Sequence, residues 1–407
     1  MPEKEKIIDR YTLSPELTLM LSLALQAPAP AIPENLDPAK FETLVLKNRI
    51  EPLVADGIKR LPAEIVQQHA ILQKLAEKQK SYTLLCMRQM QTLAGIVGVF
   101  AEKGIRVLSL KGPILAAELY GDPTRRFSRD LDLLVQEPDL AAASACLEAL
   151  GYTEEITVFN KTPLRRRKLE KNGEEMHRVY TKDAICIELH WRLSFRLALA
   201  FDDLWERSRT KVLLGQAIHY LGECDNIAYL ITHGAGHGYH RLRWLIDIYQ
   251  WQKQTTSSWA EVYDYMAKQQ VGMLLLETLL LLYTLSPFPM LPYESERFSL
   301  RRAEDKVILR YPEALQPVVQ RAVTLTRAAY PMLSNDTDEN GMAGRRYDRL
   351  LPTLGRKKTW LRSFAALWEP GRAELTWLDL PDPLYFLYYI IRPFYKLWRM
   401  TPFSRKP

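Results

Sequence analysis

One short segment constrains this chain more than any other: Asp130-Leu131-Asp132-Leu133-Leu134-Val135. Its alternation predicts a strand, with both aspartates projecting from one face and Leu131, Leu133 and Val135 from the other. Two neighbouring carboxylates repel each other unless something offsets their charge. Mg2+ does so through oxygen ligands, and nucleotide phosphates complete its coordination. The later run Ile185-Cys186-Ile187-Glu188-Leu189-His190-Trp191 repeats the pattern. One polar sheet face is therefore expected to gather Asp130, Asp132, Glu188 and His190.

The surroundings predict a compact mixture of strands and helices. A β-branched run at 105–110 enters Lys111-Gly112-Pro113, helical composition resumes at 114–120, and Gly121-Asp122-Pro123-Thr124 reads as a turn. Residues 138–150 read as a helix stopped by Gly151. Further strands are expected at 153–159, 179–181 and 185–190, with the polar, basic 161–175 as a loop or hairpin. The whole reads as α+β: an α/β core at 104–221 between an N-terminal helical region, 1–103, and a helical domain, 222–330. Ser14-Pro15 has the order of a helix cap followed by a first-turn proline. Residues 331–348 read as loop or disorder, and 349–407 as a helical C-terminal part with an aromatic, basic tail.

Composition narrows the class. With 407 residues, 47% hydrophobic and 25% charged, the chain excludes a mostly disordered or fibrous protein. A net charge of +7 is a mild bias, too small to indicate nucleic-acid binding. The four cysteines are far apart and form no CxxC pair, which argues against a zinc framework. The charged start lacks the apolar stretch of a secretion signal. The most apolar window, 273–285, is short for a membrane span and contains Glu277. A cytoplasmic protein without a membrane span is expected.

The ordered set of Lys-Gly turn, Arg126 four residues before the Asp-x-Asp strand, and Glu-Leu-His-Trp resembles the nucleotidyltransferase superfamily related to DNA polymerase beta. Within it, the chain is most similar to a bacterial group of uncharacterised nucleotidyltransferases, over about 104–247. That resemblance implies transfer of a nucleoside monophosphate from an NTP to a hydroxyl or phosphate by two-metal chemistry. Asp130, Asp132 and Glu188 would be both catalytic and metal-binding, with Mg2+, or alternatively Mn2+, as cofactor. Lys111, Gly112 and Arg126 would bind the nucleotide. The superfamily's usual Gly-Ser turn is Lys111-Gly112 here, which makes Lys111 the candidate replacement for the serine. Arg129, His190, His233, His237 and Asp247 are candidate cleft residues, though interdomain packing explains His233, His237 and Asp247 equally well.

The acceptor stays open: small molecule, glycan, peptide, protein or nucleic acid. An inactive nucleotide-binding scaffold and a kinase-like phosphotransferase are the competing functions. His233 and His237 have a spacing compatible with a transition metal, but no HExxH pattern accompanies them. Arg165-Arg166-Arg167-Lys168 suits either an acidic ligand or a solvated loop. In the tail, the aromatic run 384–391 precedes Arg392, Lys396, Arg399, Arg405 and Lys406, with no acid after Asp382. Pro393 is expected to interrupt any helix there. Docking of 385–395 on the N-terminal helices is preferred to membrane-surface contact, since exposed aromatics promote aggregation.

Overall fold

The computed structural model describes residues 3–27, 30–157, 160–172, 175–194, 196–285, 287–334, 370 and 372–400. The N-terminal part is not wholly helical: it opens with strand β1 (Glu3–Asp9). Helix α1 (Pro15–Ala24) starts as expected, with Ser14 accepting from the Leu17 amide. Helices α2 (Pro38–Asn48), α3 (Glu51–Ile58), α4 (Ala63–Gln68), α5 (Ala70–Glu77) and α6 (Gln79–Glu102) follow. By length and composition alone, Ala70–Glu102 could cross a bilayer. Here Leu93, Ile96, Val97 and Phe100 of α6 are buried under the central sheet instead.

That sheet is built from β2 (Val107–Ser109), β3 (Asp130–Val135), β4 (Thr153–Glu154), β5 (His177–Lys182), β6 (Ile185–His190), β7 (Arg209–Leu213) and β8 (Gln216–Tyr220). The order is β4-β5-β6-β3-β2-β8-β7. It is a mixed sheet, since β3–β6 and β2–β8 are parallel and the other pairs antiparallel. Helices α7 (Gly112–Tyr120) and α8 (Leu140–Ala149) complete the first half. The polar 161–175 stretch is largely a helix, α9 (Pro163–Asn172), rather than a loop. Its Arg, Lys, Leu and Glu residues all favour helix, and this outweighs their polarity.

Alternation in β3 divides two cores. Leu131, Leu133 and Val135 join α6 and α8 beneath the sheet, whereas Leu134 joins the larger helical core above it. After the short α10 (Phe201–Glu206), that upper layer comprises α11 (Glu223–Gly236), α12 (Arg243–Gln254), α13 (Trp259–Lys268), α14 (Gly272–Thr284) and α15 (Gln316–Ser334). Between α14 and α15 lies a hairpin of β9 (Ser299–Ala303) and β10 (Lys306–Pro312), and β1 adds to it antiparallel. Side chains of residues 8–75 share this upper core with residues 227–333.

Two expectations for the C-terminal part change. Helix α15 continues through Pro331 to Ser334; the rest of the expected 331–348 loop lies outside the described residues, as do 349–369, Arg405 and Lys406. After α16 (Arg372–Trp377), helix α17 (Leu387–Met400) runs through Pro393 instead of stopping there. Proline removes one backbone donor, while buried Tyr388 and half-buried Tyr389 anchor the first turn. The docking partner also differs: Tyr385 and Tyr388 pack with Leu375 against Leu164 of α9, away from the N-terminal helices.

Candidate active site

The parallel register of β3 and β6 sets Asp132 beside Glu188 and Asp130 beside Cys186. His177 of β5 pairs with His190. Tyr229 and His233 of α11 lie within electrostatic reach of Asp132 and Lys111, so an upper helix borders the polar side of the sheet. Asp132 is 2% exposed, and its Oδ2 has no hydrogen-bond partner among the described residues. Two cationic groups offset it at ion-pair distance: Lys111 Nζ at 2.9 Å and His190 Nε2 at 3.4 Å from Oδ1. His190 Nε2 also lies 3.3 Å from Glu188 Oε2.

The charges do not cancel evenly. Burial opposes ionisation of Asp132, yet Lys111 and His190 hold its carboxyl below the usual range. Burial likewise opposes Glu188, but His190 keeps it low. Asp130 goes the other way: burial, then the Asp132 charge, raises it, although the Ser128 hydroxyl donates to it at 3.1 Å. Burial would lower Lys111 and His190, but the carboxylates outweigh that and raise both. His177 is pushed down to about 4 by burial and then by His190, so at neutral pH its ring is uncharged. His177, Glu188 and His190 offer ligand atoms all within 4.8 Å of one another.

Backbone geometry places Lys111. Strand β2 ends at Ser109, and Gly112 takes φ +68° as α7 begins. A residue with a Cβ is strained there, so the glycine lets the chain turn directly from strand into helix. The chain enters α7 alongside β3, where the Leu110 amide donates to the Asp132 carbonyl at 3.0 Å. Lys111 lies 5.6 Å from the Tyr229 ring of α11. His233, one turn along α11, is held neutral by burial and by Lys111. Gly234 lets Tyr239 approach the helix, since a Cβ there would meet its ring at 2.5 Å.

Other expected site residues fall in different places. Arg126, read as a nucleotide ligand, is 3% exposed and donates from Nε to both oxygens of Asp247, each at 3.0 Å. Tyr120 donates to the same carboxylate at 2.8 Å. Asp247 thus ties α12 to the C-terminal end of α7 and to the loop before β3. His237 stacks on Trp244 at 5.3 Å, and His233 and His240 meet the same ring edge-on. These histidines form a packed cluster around an indole. Gly112 and Lys111 adjoin the carboxylates, and Arg129 is exposed one residue before Asp130. Arg165 and Arg166 serve structure: the first holds Asp379 and the second Glu154.

Sequence reasoning missed Arg49, Arg243, Ser128 and Tyr229. Arg49 is pushed down to about 10 by burial and the charges of Arg241 and Arg129, with Asp130 acting against them. Buried Arg243 is pushed down to about 9 by burial and Arg126, and donates to the Phe127 carbonyl at 2.7 Å. Positive charge therefore converges on the Asp130 end from α2, α12 and the loop before β3. No local motif signals it. A separate depression of about 800 Å3 at the far end of α7, lined by Glu118, Arg209, Lys211 and Glu223 among others, includes none of Asp130, Asp132 and Glu188.

The chain is similar to the antibiotic-resistance factor ANT(2'')-Ia, whose solution structure has been described in terms of substrate-regulated conformational dynamics. The two share 10% identity over 45% of this chain and 90% of that one, and the TM-score of 0.33 is too low to carry an argument. No curated protein matches the sequence. Residues 34–286, which hold the Lys-Gly turn, every carboxylate of the site and the helices that cover it, match a single family, and the chain belongs to it: the uncharacterised nucleotidyltransferases.

Proposed function

We propose that the protein moves a nucleoside monophosphate from an NTP to a hydroxyl or phosphate of an acceptor, using Asp130, Asp132 and Glu188. The observation that carries this reading is the register that sets Asp132 beside Glu188, with Asp130 on the same face, next to the first turn of α7. The donor set fits divalent metal: the buried Asp132 Oδ2 has no hydrogen-bond partner among the described residues, and Asp130 is raised by burial and a neighbouring carboxylate. Mg2+ suits the carboxylates, while the imidazoles of His177 and His190 make Mn2+ the alternative. Bound metal would supply charge neutralisation at the triphosphate and lower the pKa of the acceptor hydroxyl.

The chain's own groups do the rest. Free amides at the start of α7 suit phosphate oxygens. Arg49, Arg129 and Arg243 would bind the triphosphate and neutralise the departing pyrophosphate. As the acceptor oxygen bonds to the α-phosphorus, the bond to pyrophosphate breaks, and Glu188 would take the acceptor proton. Lys111 holds Asp132 ionised until phosphate arrives. Arg126 and Asp247 position α12, and with it Arg243.

Mass spectrometry of candidate acceptor pools, incubated with each NTP and metal, tests the reading. An added nucleotide mass that disappears with Asp132→Asn is the expected result. An added phosphate alone would make the protein a phosphotransferase. NTP binding without any product from any pool would make it a scaffold.

A further inference from the structure

Charge is unevenly distributed along this chain. Residues 345–407 contain 13 Lys and Arg against 5 Asp and Glu, whereas the whole chain has an excess of only 7. The preceding residues are therefore slightly acidic together. Within the basic stretch, Phe386, Ile390, Phe394 and Trp398 recur every four residues, and all are exposed, by 57%, 54%, 67% and 45%. Four-residue steps keep side chains on one helical stripe. Trp377 of α16 is exposed too, and its ring meets Tyr395 at 5.1 Å and Trp398 at 6.3 Å. Leu384, 40% exposed, extends the patch.

The mounting of this patch is firm. Tyr388 is fully buried and its hydroxyl accepts from the Leu380 amide at 2.8 Å. Thr162 donates to Asp382 at 2.8 Å, Arg165 to Asp379 at 2.9 Å, and Lys168 to the Tyr389 hydroxyl at 3.1 Å. Arg392 pairs with Glu374 of α16 at 3.1 Å. One face of α17 is thus fixed to the nucleotidyltransferase core while its apolar stripe points outward.

We propose that α17 docks the protein on an anionic lipid surface, with Phe386, Ile390, Phe394 and Trp398 at the headgroup boundary and the excess positive charge of the 345–407 sequence attracted to acidic headgroups. Amphipathic helices bind membranes through this combination of buried apolar area and cationic attraction. Charge decides against a second copy as the occupant, since two such basic segments would repel. Aliphatic Ile390 and Leu384 among the aromatics decide against a base-stacking platform for nucleic acid, which needs flat rings. The inference does not depend on the chemistry at Asp130 and Asp132.

Vesicle flotation of the full-length protein tests it. Vesicles of phosphatidylcholine with phosphatidylglycerol should carry the protein upward, and phosphatidylcholine alone should not. Binding should weaken as salt shortens the screening length from about 10 Å at 0.1 M to about 3 Å at 1 M. The triple substitution Phe386→Ser, Ile390→Ser, Phe394→Ser alters only exposed positions and should lower partitioning about tenfold or more, with an unchanged circular-dichroism spectrum. Failure of the native protein to float with anionic vesicles overturns the proposal. Undiminished flotation of the triple variant would reduce the contact to electrostatics alone and overturn it equally. A concentration-dependent dimer that the triple substitution abolishes, without vesicle binding, would assign the face to a second copy.

Discussion

The two faces of the central sheet come from the same strands and do opposite work. On the lower face, Leu131, Leu133, Ile187 and Leu189 are 2% exposed or less and pack on α6 and α8. On the upper face, one residue away in each case, stand Asp130, Asp132, Glu188 and His190. Burial stabilises the first set and penalises the second. The penalty is only partly met by Lys111 and His190, which leaves Asp130 raised. The difference shows that the upper face was not shaped for stability, and that its imbalance suits a ligand bringing positive charge.

The comparison breaks most sharply at Asp132. Asp132→Asn should reduce transfer by about a thousandfold, on the scale of losing one preorganised charge at a reacting centre. It should also destabilise the fold by up to about 3 kcal/mol, because Lys111 would remain buried without its partner. Repulsion between the aspartates alone suggests that either substitution is tolerated, but the 2.9 Å ion pair separates them. Asp130→Asn removes a charge that burial and Asp132 disfavour, and should raise stability by up to about 1 kcal/mol while also abolishing turnover. Denaturant titration without metal, beside activity assays, distinguishes the two. Equal stability changes in both variants would refute the assignment of Asp132 as the neutralised member.

Next in size is the clamp that carries the upper helices. Asp247→Ala leaves Arg126 buried and unpaired, at a cost of about 3–5 kcal/mol. Asp247→Asn retains part of the hydrogen bonding and should cost less. Thermal unfolding ranks the pair; a loss in NTP binding with no loss of stability would return Arg126 to a direct role at the phosphates. On the lower face, Leu133→Ala should cost about 2–5 kcal/mol by opening a cavity. Its turnover per folded molecule should match the native value.

What the sequence discloses follows the range of the forces involved. Asp130, Asp132, Glu188 and His190 are legible because strand alternation is local, with period two. Lys111-Gly112 is legible because the turn from strand to helix needs a residue free at positive φ. The partner of Arg126 is not legible because Asp247 lies 121 residues away. Arg49 and Arg243 go unseen for the same reason, since helices far before and far after it in the sequence bring them to Asp130. Strand β1 is hidden by the charges of Glu3, Lys4, Glu5 and Lys6, and its partner β10 lies 300 residues on. The tail's anchorage to α9 is equally nonlocal, and Pro393 is a local signal that packing overrides.

The smallest effect concerns His177, which stands at the edge of the charged face. Burial and the neighbouring His190 push it down to about 4, against 6.5 for the ordinary side chain. The unfolded chain therefore binds a proton at His177 more readily than the native one does. For a depressed histidine, stability is fully present above pH 6.5 and is lost as pH falls through the window toward 4. His190 has the opposite sign, because the two carboxylates raise it and its contribution is lost as pH rises through its folded value. At pH 5 the two are separable: His190 is charged in both states, whereas His177 is charged only after unfolding. His177→Gln should thus remove about 1–2 kcal/mol of acid sensitivity between pH 7 and 5 in metal-free protein. Urea midpoints across that range measure it. A native and a variant profile that run parallel would mean that His177 is solvated, and would confine the buried polar face to Asp130, Asp132, Glu188 and His190.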